Sequence, residues 1–275
     1  MIDLHTHTTA SDGRLAPADL VARAGNAGVT VLAVTDHDTV AGCAAVAAAC
    51  AASSIEFVSG IEVTAVRDDG DVHILGYFVD TESAGLRAFL AEQRRERIQR
   101  VRAMVDRLRS HGIALDADQI VRPAVEDETK SAGRPWIARA LVAHGDVTTS
   151  DEAFDKWLER GRPAYVPRAN PTPVEVIARI HEAGGLASLA HPALLRHDDW
   201  IPQFVAEGVD ALEAYHSDHT PDDTRRYVEM ARAYGLGLSG GSDFHGDAHG
   251  PEHPGAVSLP REDFERLKSR VGRSG

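Results

Sequence analysis

Thiols are nearly missing from this chain. Of 275 residues only Cys43 and Cys50 are cysteine, seven apart in an alanine-rich stretch and neither in a CxxC pair. That excludes a disulfide scaffold and a thiolate zinc site. Long apolar runs are missing too: no stretch approaches the ~20 residues that a transmembrane helix requires. The opening Ile2-Asp3-Leu4-His5 carries neither the basic nor the apolar region of a secretory leader. A cytoplasmic protein with no membrane partner is the expectation. Positive charge is in deficit, 29 lysines and arginines against 42 aspartates and glutamates, for a net charge of -13. Such a surface repels a long polyanion and favours a small anionic substrate, while leaving open a short single strand that enters by its end. Internal repeats and low-complexity tracts are absent, and nothing marks an obligate protein partner.

What is present suits an enzyme with a full core: 43% hydrophobic and 26% charged residues. Residues 1–80 alternate strand-like and helix-like segments. Residues 2–6 read as a short strand, 17–27 as a helix stopped by Gly28, 29–34 as a β-branched strand, and 40–52 as an alanine-rich helix. Residues 55–58, 61–66 and 72–78 read as further strands. From Pro173 the rhythm returns, with strands at 186–190, 211–215 and 236–239 separated by helices. The expected fold class is α/β, with βα units around a parallel or largely parallel sheet. Residues 86–164 differ. A long helix over 86–110 is followed by helices at 135–144 and 151–159, so this block is a helical insertion domain, with the barrel domain formed by 1–85 and 165–275. One face of the long helix carries Arg94, Arg95, Arg97, Arg100, Arg102, Arg107 and Arg109. It reads as a solvated face, with an RNA-binding stripe as the alternative.

The chemistry lies in where histidines and acids fall. His5 and His7 alternate on the first strand and so share a face. Asp12 follows in a turn, His37 comes after the 29–34 strand, and Glu62 lies in Gly60-Ile61-Glu62. His73 lies in Val72-His73-Ile74, His191 after the 186–190 strand, and Asp243 and His245 after the last strand. Nearly all lie at or past the C-terminal end of a strand, and in α/β sheets those ends converge on one rim. A lone histidine at such a place is an ordinary hydrogen-bonded residue; six histidines and three acids together point to metal. Imidazole and carboxylate without thiolate suit Mn2+, Fe2+ or Zn2+.

His5-Thr6-His7, Thr35-Asp36-His37-Asp38, Gly60-Ile61-Glu62, Ala190-His191-Pro192 and Ser242-Asp243-Phe244-His245 resemble the motifs of the PHP (polymerase and histidinol phosphatase) superfamily. The resemblance covers residues 1–80 and 165–250. It implies a distorted (β/α)7 barrel with two or three divalent cations. His5, His7, Glu62 and Asp243 would hold the first. Glu62 would bridge to a second with His73 and His191, and Asp12, His37 and His245 would hold a third. Gly133-Arg134-Pro135 and Ala164-Tyr165-Val166-Pro167 are similar to the bacterial branch that includes 3',5'-nucleotide bisphosphate phosphatase and a 5'-to-3' exoribonuclease.

The expected activity is therefore metal-dependent hydrolysis of a phosphate monoester of a small nucleotide, with a hydroxide held between two cations as nucleophile. A 3',5'-nucleotide bisphosphate is the leading substrate. A 5'-phosphorylated RNA, histidinol phosphate, or a non-catalytic metal-binding role are the alternatives. Glu62 and Asp243 would act through the metals. Arg134, ahead of Pro135 at a helix start, would grip a second phosphate. Arg168 is a second candidate, Lys130 and Ser131 weaker ones. His216, after the 211–215 strand, would protonate the leaving oxygen or bind phosphate.

Overall fold

A computed structural model describes residues 1–68, 70–168, 171–247 and 250–272. Seven strands, Ile2–Asp3 (β1), Val31–Val34 (β2), Glu56–Arg67 (β3), Gly70–Tyr77 (β4), Leu186–Leu189 (β5), Ala211–His216 (β6) and Gly237–Gly241 (β7), lie side by side in chain order. The last strand comes back to the first: the Leu4 amide donates to the Gly240 carbonyl at 3.1 Å, and Thr6 bridges Phe244 in parallel. The sheet is thus a nearly closed seven-stranded barrel.

Eleven α-helices are formed among the described residues: Pro17–Asn26 (α1), Cys43–Ala52 (α2), Ala84–Ser110 (α3), Ala117–Glu126 (α4), Arg134–His144 (α5), Ser150–Ala153 (α6), Pro173–Glu182 (α7), Pro192–Leu195 (α8), Ile201–Ala206 (α9), Pro221–Ala233 (α10) and Arg261–Lys268 (α11). Their starts follow from local chemistry. Proline opens α1, α7 and α10, and capping boxes Thr172/Glu175 and Thr220/Asp223 set the last two. None is long and apolar enough to cross a membrane.

The sheet is not parallel throughout. β4 runs antiparallel to both β3 and β5, because β3 and β4 form a hairpin rather than two βα units. Residues 55–58 and 61–66, read as separate strands, belong to one. β3 pairs with β2 through residues 56–59 and with β4 through 60–67. Gly60 lets it change partners, since a Cβ there would lie 2.8 Å from the Val34 carbonyl oxygen. The 151–159 helix is a short α6 followed by a π-helical turn, Phe154–Leu158.

α3 belongs to two cores. Leu86 and Leu90 pack with Val176 and Ile180 against the barrel. Val101, Met104 and Leu108 instead join Val121, Ile137, Leu141 and Leu158 in a separate helical core. Because the helix is covered on more than one side, its arginine face is not simply solvated. Arg95, Arg102 and Arg109 make exposed ion pairs. Arg94, Arg97 and Arg100 turn inward to the carbonyls of Ala124, Ala132 and Val166, and Arg107, though exposed, donates to the Tyr165 carbonyl. The last two contacts hold residues 165–167 as irregular backbone.

Candidate metal centre

The barrel rim gathers the predicted cluster. β1 leads into His5 and His7, β2 into His37, β5 into His191, and β7 into Asp243 and His245. Gly241 makes the last approach feasible, since a Cβ there would lie 2.3 Å from the His5 amide nitrogen. Two residues reach the rim differently from the sequence expectation. Glu62 sits mid-strand in β3, bridged in parallel to His37. His73 lies near the beginning of β4, and that end faces the rim because β4 is reversed.

Glu62 is the hub. Its Oε2 lies 3.4 Å from His5 Nε2, 3.3 Å from His7 Nε2 and 3.2 Å from His37 Nδ1; its Oε1 lies 2.7 Å from His73 Nδ1 and 3.2 Å from His191 Nε2. Asp243 Oδ1 lies 3.2 Å from His5 Nε2 and 3.1 Å from His7 Nε2. Asp12 Oδ1 lies 3.3 Å from His245 Nε2, and Asp12 Oδ2 lies 3.7 Å from His37 Nε2. The donor atoms of His5, His7, Glu62 and Asp243 all fall within 4.8 Å of one another. So do those of His7, Asp12, His37 and His245, and those of His37, Glu62 and His73. His7 thus faces two groups, one with each ring nitrogen, where the resemblance had given it one.

These side chains fit divalent cations on the structure's own terms. Both nitrogens of His7, Nδ1 of His37 and His73, and Asp243 Oδ1 are buried without a hydrogen-bond partner, a costly state unless something else satisfies them. Burial alone would raise the Glu62 pKa, but His37, His73 and His5 hold it well below the usual carboxylate range. Burial is likewise overcome at Asp12 by His37 and His245, and at Asp243 by His5 and His245. For His37 burial wins, and its pKa falls to about 3 despite Glu62 and Asp12. The centre therefore offers three ionised carboxylates and at least one neutral imidazole, the forms that ligate metal.

Beside the cluster is a cavity of about 100 Å3 lined by His37, Asp71, His73, Arg97, Arg100, Arg134 and Arg168. Arg134 opens α5 and donates from Nη2 to Asp71 at 3.1 Å. Arg168, the second candidate, is largely covered, with Nη1 3.4 Å from Asp38 Oδ2. Arg97 and Arg100, read earlier as solvated, share this wall. Arg97 pairs with buried Asp38, and Arg100 Nη2, 4.0 Å from Asp71 Oδ2, and Arg168 Nε have no hydrogen-bond partner. Lys130 and Ser131 lie apart from it. Lys130 Nζ donates to the Thr9 carbonyl and faces a neighbouring groove, and Ser131 is buried with its amide on the Ala10 carbonyl. His216 is buried, its Nε2 3.6 Å from Asp243 Oδ2. Glu213 escaped the sequence reading altogether. It is fully buried, with Oε1 2.9 Å from His5 Nδ1, and the available signal was an acid inside the apolar run Ala211-Leu212-Glu213-Ala214.

Comparison with known proteins agrees with this geometry. The PHP domain model matches residues 3–147. A "5'-3' exoribonuclease Rnm" from Salmonella typhimurium is 36% identical over 252 residues, covering 88% of this chain and 84% of that protein. A "3',5'-nucleoside bisphosphate phosphatase" from Chromobacterium violaceum is 35% identical over 281 residues, covering 98% and 97%. A solved structure described as an amidohydrolase from Chromobacterium violaceum, with bound sulfate and no metal, superposes with a TM-score of 0.87 at 33% identity, covering all of this chain and 98% of that one. The chain belongs to the PHP domain family and is a metal-dependent phosphoesterase.

Proposed function

We propose that the protein removes a phosphate from 3',5'-nucleotide bisphosphates such as adenosine 3',5'-bisphosphate, releasing AMP. His5, His7, Asp12, His37, Glu62, His73, His191, Asp243 and His245 would hold two or three cations, of Mn2+, Fe2+ or Zn2+. Bound there, divalent metal supplies Lewis-acid polarisation of the phosphoryl group and a lower pKa for attacking water. Glu62, reaching one set of histidines with each oxygen, sets the spacing of the ligand groups. His216, buried beside Asp243, is the side chain assigned to the phosphoryl or leaving oxygen.

The observation that carries the substrate reading is the arginine wall. Four guanidinium groups share two carboxylates, Asp38 with Arg97 and Arg168 and Asp71 with Arg134 and Arg100; the third acid of the lining, Asp12, is assigned to the cations, so two positive charges are left over next to the cluster. Burial and the neighbouring Arg168 push Arg100 down to about 10, still charged at neutral pH. A second phosphate answers both that surplus and the two unpartnered buried donors. The cavity is far below the roughly 300–1,000 Å3 of sites enclosing a drug-sized ligand, so it suits a phosphate and not a nucleoside. An adjoining cavity of about 440 Å3 shares Asp71, His73, Arg134 and Phe154 and adds Leu194 and Leu195; we assign the nucleoside to it. Residues 86–164, which supply Arg97, Arg100 and Arg134, would act as a cap domain on a barrel of 1–85 and 165–275. The two free, buried thiols accord with a cytoplasmic enzyme.

A second reading is trimming of 5'-phosphorylated RNA. It is favoured by a groove of about 930 Å3 beside the Asp12 loop, lined by Arg14, Lys130, Arg139 and Trp136, cations and an indole of the kind single strands use. Phosphate release with Mn2+ from adenosine 3',5'-bisphosphate, 3'-AMP, 5'-AMP and histidinol phosphate, beside a gel of 5'-phosphorylated oligoribonucleotides, separates the two. Equal rates on mono- and bisphosphates would remove the bisphosphate specificity.

A further inference from the structure

Glu213 touches two members of the cluster and stands outside every ligand group just assigned through Glu62. Its Oε1 is 2.9 Å from His5 Nδ1, and its Oε2 accepts the His191 backbone N–H at 2.7 Å. A bulge in the pairing of β6 with β7 falls between Glu213 and Tyr215, a device that re-aims a side chain beside a site. The two contacts are not equivalent. At His5 the carboxylate meets the ring, whose Nε2 looks the other way, to Glu62 Oε2 and Asp243 Oδ1. At His191 it meets the main chain of a residue held at φ 27° and ψ 60°, a conformation that non-glycine residues rarely adopt. The His191 ring reaches the opposite oxygen of Glu62. One buried carboxylate therefore anchors a histidine on each side of the hub.

We propose that Glu213 is a positioning residue of the metal centre: it holds the His5 proton on Nδ1, leaving Nε2 free to ligate, and it fixes the strained turn that presents His191. The inference rests on the assignment of His5 and His191 as metal ligands. A carboxylate suits the task because both contacts require an acceptor and it has two. Glutamine has one. In Glu213→Gln, if the amide oxygen serves His191, the NH2 faces His5 Nδ1 and drives the ring proton to Nε2. If the oxygen serves His5, the NH2 opposes the His191 N–H and that turn loses its anchor. Aspartate keeps two acceptors on a shorter arm. Direct ligation by Glu213 together with His5 and His216, whose donor atoms also lie close together, would instead require His5 Nδ1 without its proton.

The test is metal binding, read without turnover. Titration calorimetry with Mn2+ and Zn2+ compares wild type, Glu213→Gln, Glu213→Asp and His5→Ala. Affinity should fall on the order of 10- to 100-fold in Glu213→Gln, as for other residues that orient ligands, and recover in part in Glu213→Asp. Wild-type affinity in Glu213→Gln while His5→Ala loses binding would overturn the role of Glu213 and leave the ligand assignment standing. Unchanged binding in His5→Ala would overturn both. A merely structural role would lower the melting temperature of the metal-free variant and leave metal affinity alone, which also counts against the proposal. Should Glu213→Gln fail to fold, long-range 1H–15N correlation on zinc-loaded wild type decides. A proton on His5 Nδ1 supports the proposal, and a bare Nδ1 overturns it.

Discussion

Replacing Arg134 by methionine separates recognition of the second phosphate from everything else the protein does. The methionine keeps an apolar stem near the Phe154 and Tyr165 rings, over which the guanidinium now lies at 5.7 and 5.9 Å. What is lost is the charge. Hydrogen bonds to charged groups contribute ~1.5–3 kcal/mol. Against this, Arg134 is already engaged with Asp71 before substrate arrives, at 3.1 Å and with a quarter of its side chain exposed. A pair of that kind is worth ~0–1 kcal/mol, and subtracting the middle of that range, ~0.5 kcal/mol, leaves a net loss of ~1–2.5 kcal/mol. At 1.4 kcal/mol per factor of ten, kcat/KM for adenosine 3',5'-bisphosphate should fall about 5- to 60-fold. For 3'-AMP, which has no phosphate to place against the arginines, the loss should stay under about threefold. Stability should change by less than ~1 kcal/mol, for the same reason that the Asp71 pair is weak. The assay is phosphate release from both substrates by wild type and variant under one metal concentration. Equal losses on the two substrates would refute the reasoning, because they would place Arg134 in folding or in metal chemistry and not at a second phosphate.

Arg97→Met should behave in the opposite way, as a stability lesion. Arg97 is buried and pairs with buried Asp38; Arg168 stays within 3.4 Å to compensate in part, so a loss near ~3 kcal/mol is expected in urea denaturation, the lower end for breaking a buried pair. A loss under ~1 kcal/mol would show that the pair is not load-carrying. Burial pushes the Cys43 thiol up to about 12 and Cys50 to about 11, so at pH 8 about one thiol in a thousand or fewer is ionised. Neither should react with a disulfide reagent in the native protein, and both should in denaturant; fast native labelling would contradict this burial. His181 Nε2 lies 2.7 Å from Asp210, and that bond, against opposing burial, raises the imidazole above its ordinary 6.5. Its stabilisation is complete below pH 6.5 and fades as pH climbs through the raised value. His181→Ala should therefore cost ~0.5–1 kcal/mol at pH 5.5 and less at pH 8.5, and a cost that grows with pH would reverse the sign.

Much of the metal cluster was legible because ligands at the ends of apolar strands break a pattern: Asp243 and His245 follow β7, and His191 follows β5. What sequence could not supply was direction. The 72–78 segment reads as a strand whichever way it runs, so His73 looked like a residue at the wrong end until the β3–β4 hairpin reversed it. Arg97 was hidden by its company. It is one of eight arginines along α3, and only the cover of two cores on that helix separates the inward ones from the solvated ones. Residues 165–167 have strand composition, yet Arg100 and Arg107 take the carbonyls of Val166 and Tyr165, and no local propensity encodes a partner some sixty residues away.

The backbone carries a related lesson. Asp38, His191 and Asp243 all have positive φ, at 52°, 27° and 55°, and each such residue costs ~1–3 kcal/mol unless its surroundings over-determine it. The surroundings here are the site itself. The Asp38 amide donates to the Glu62 carbonyl at 2.8 Å, the His191 amide to Glu213, and the Asp243 amide to the His5 carbonyl at 2.8 Å. Each strained residue is thus tied, through its own N–H, to a member of the cluster or to the carboxylate behind it. Side chains that converge on Glu62 are held by main chains that converge on the same place. Ser54, Asp68, Phe78 and Arg196 also have positive φ and belong to no ligand group, but at Asp38, His191 and Asp243 one set of contacts both sustains the strain and aims the ligands.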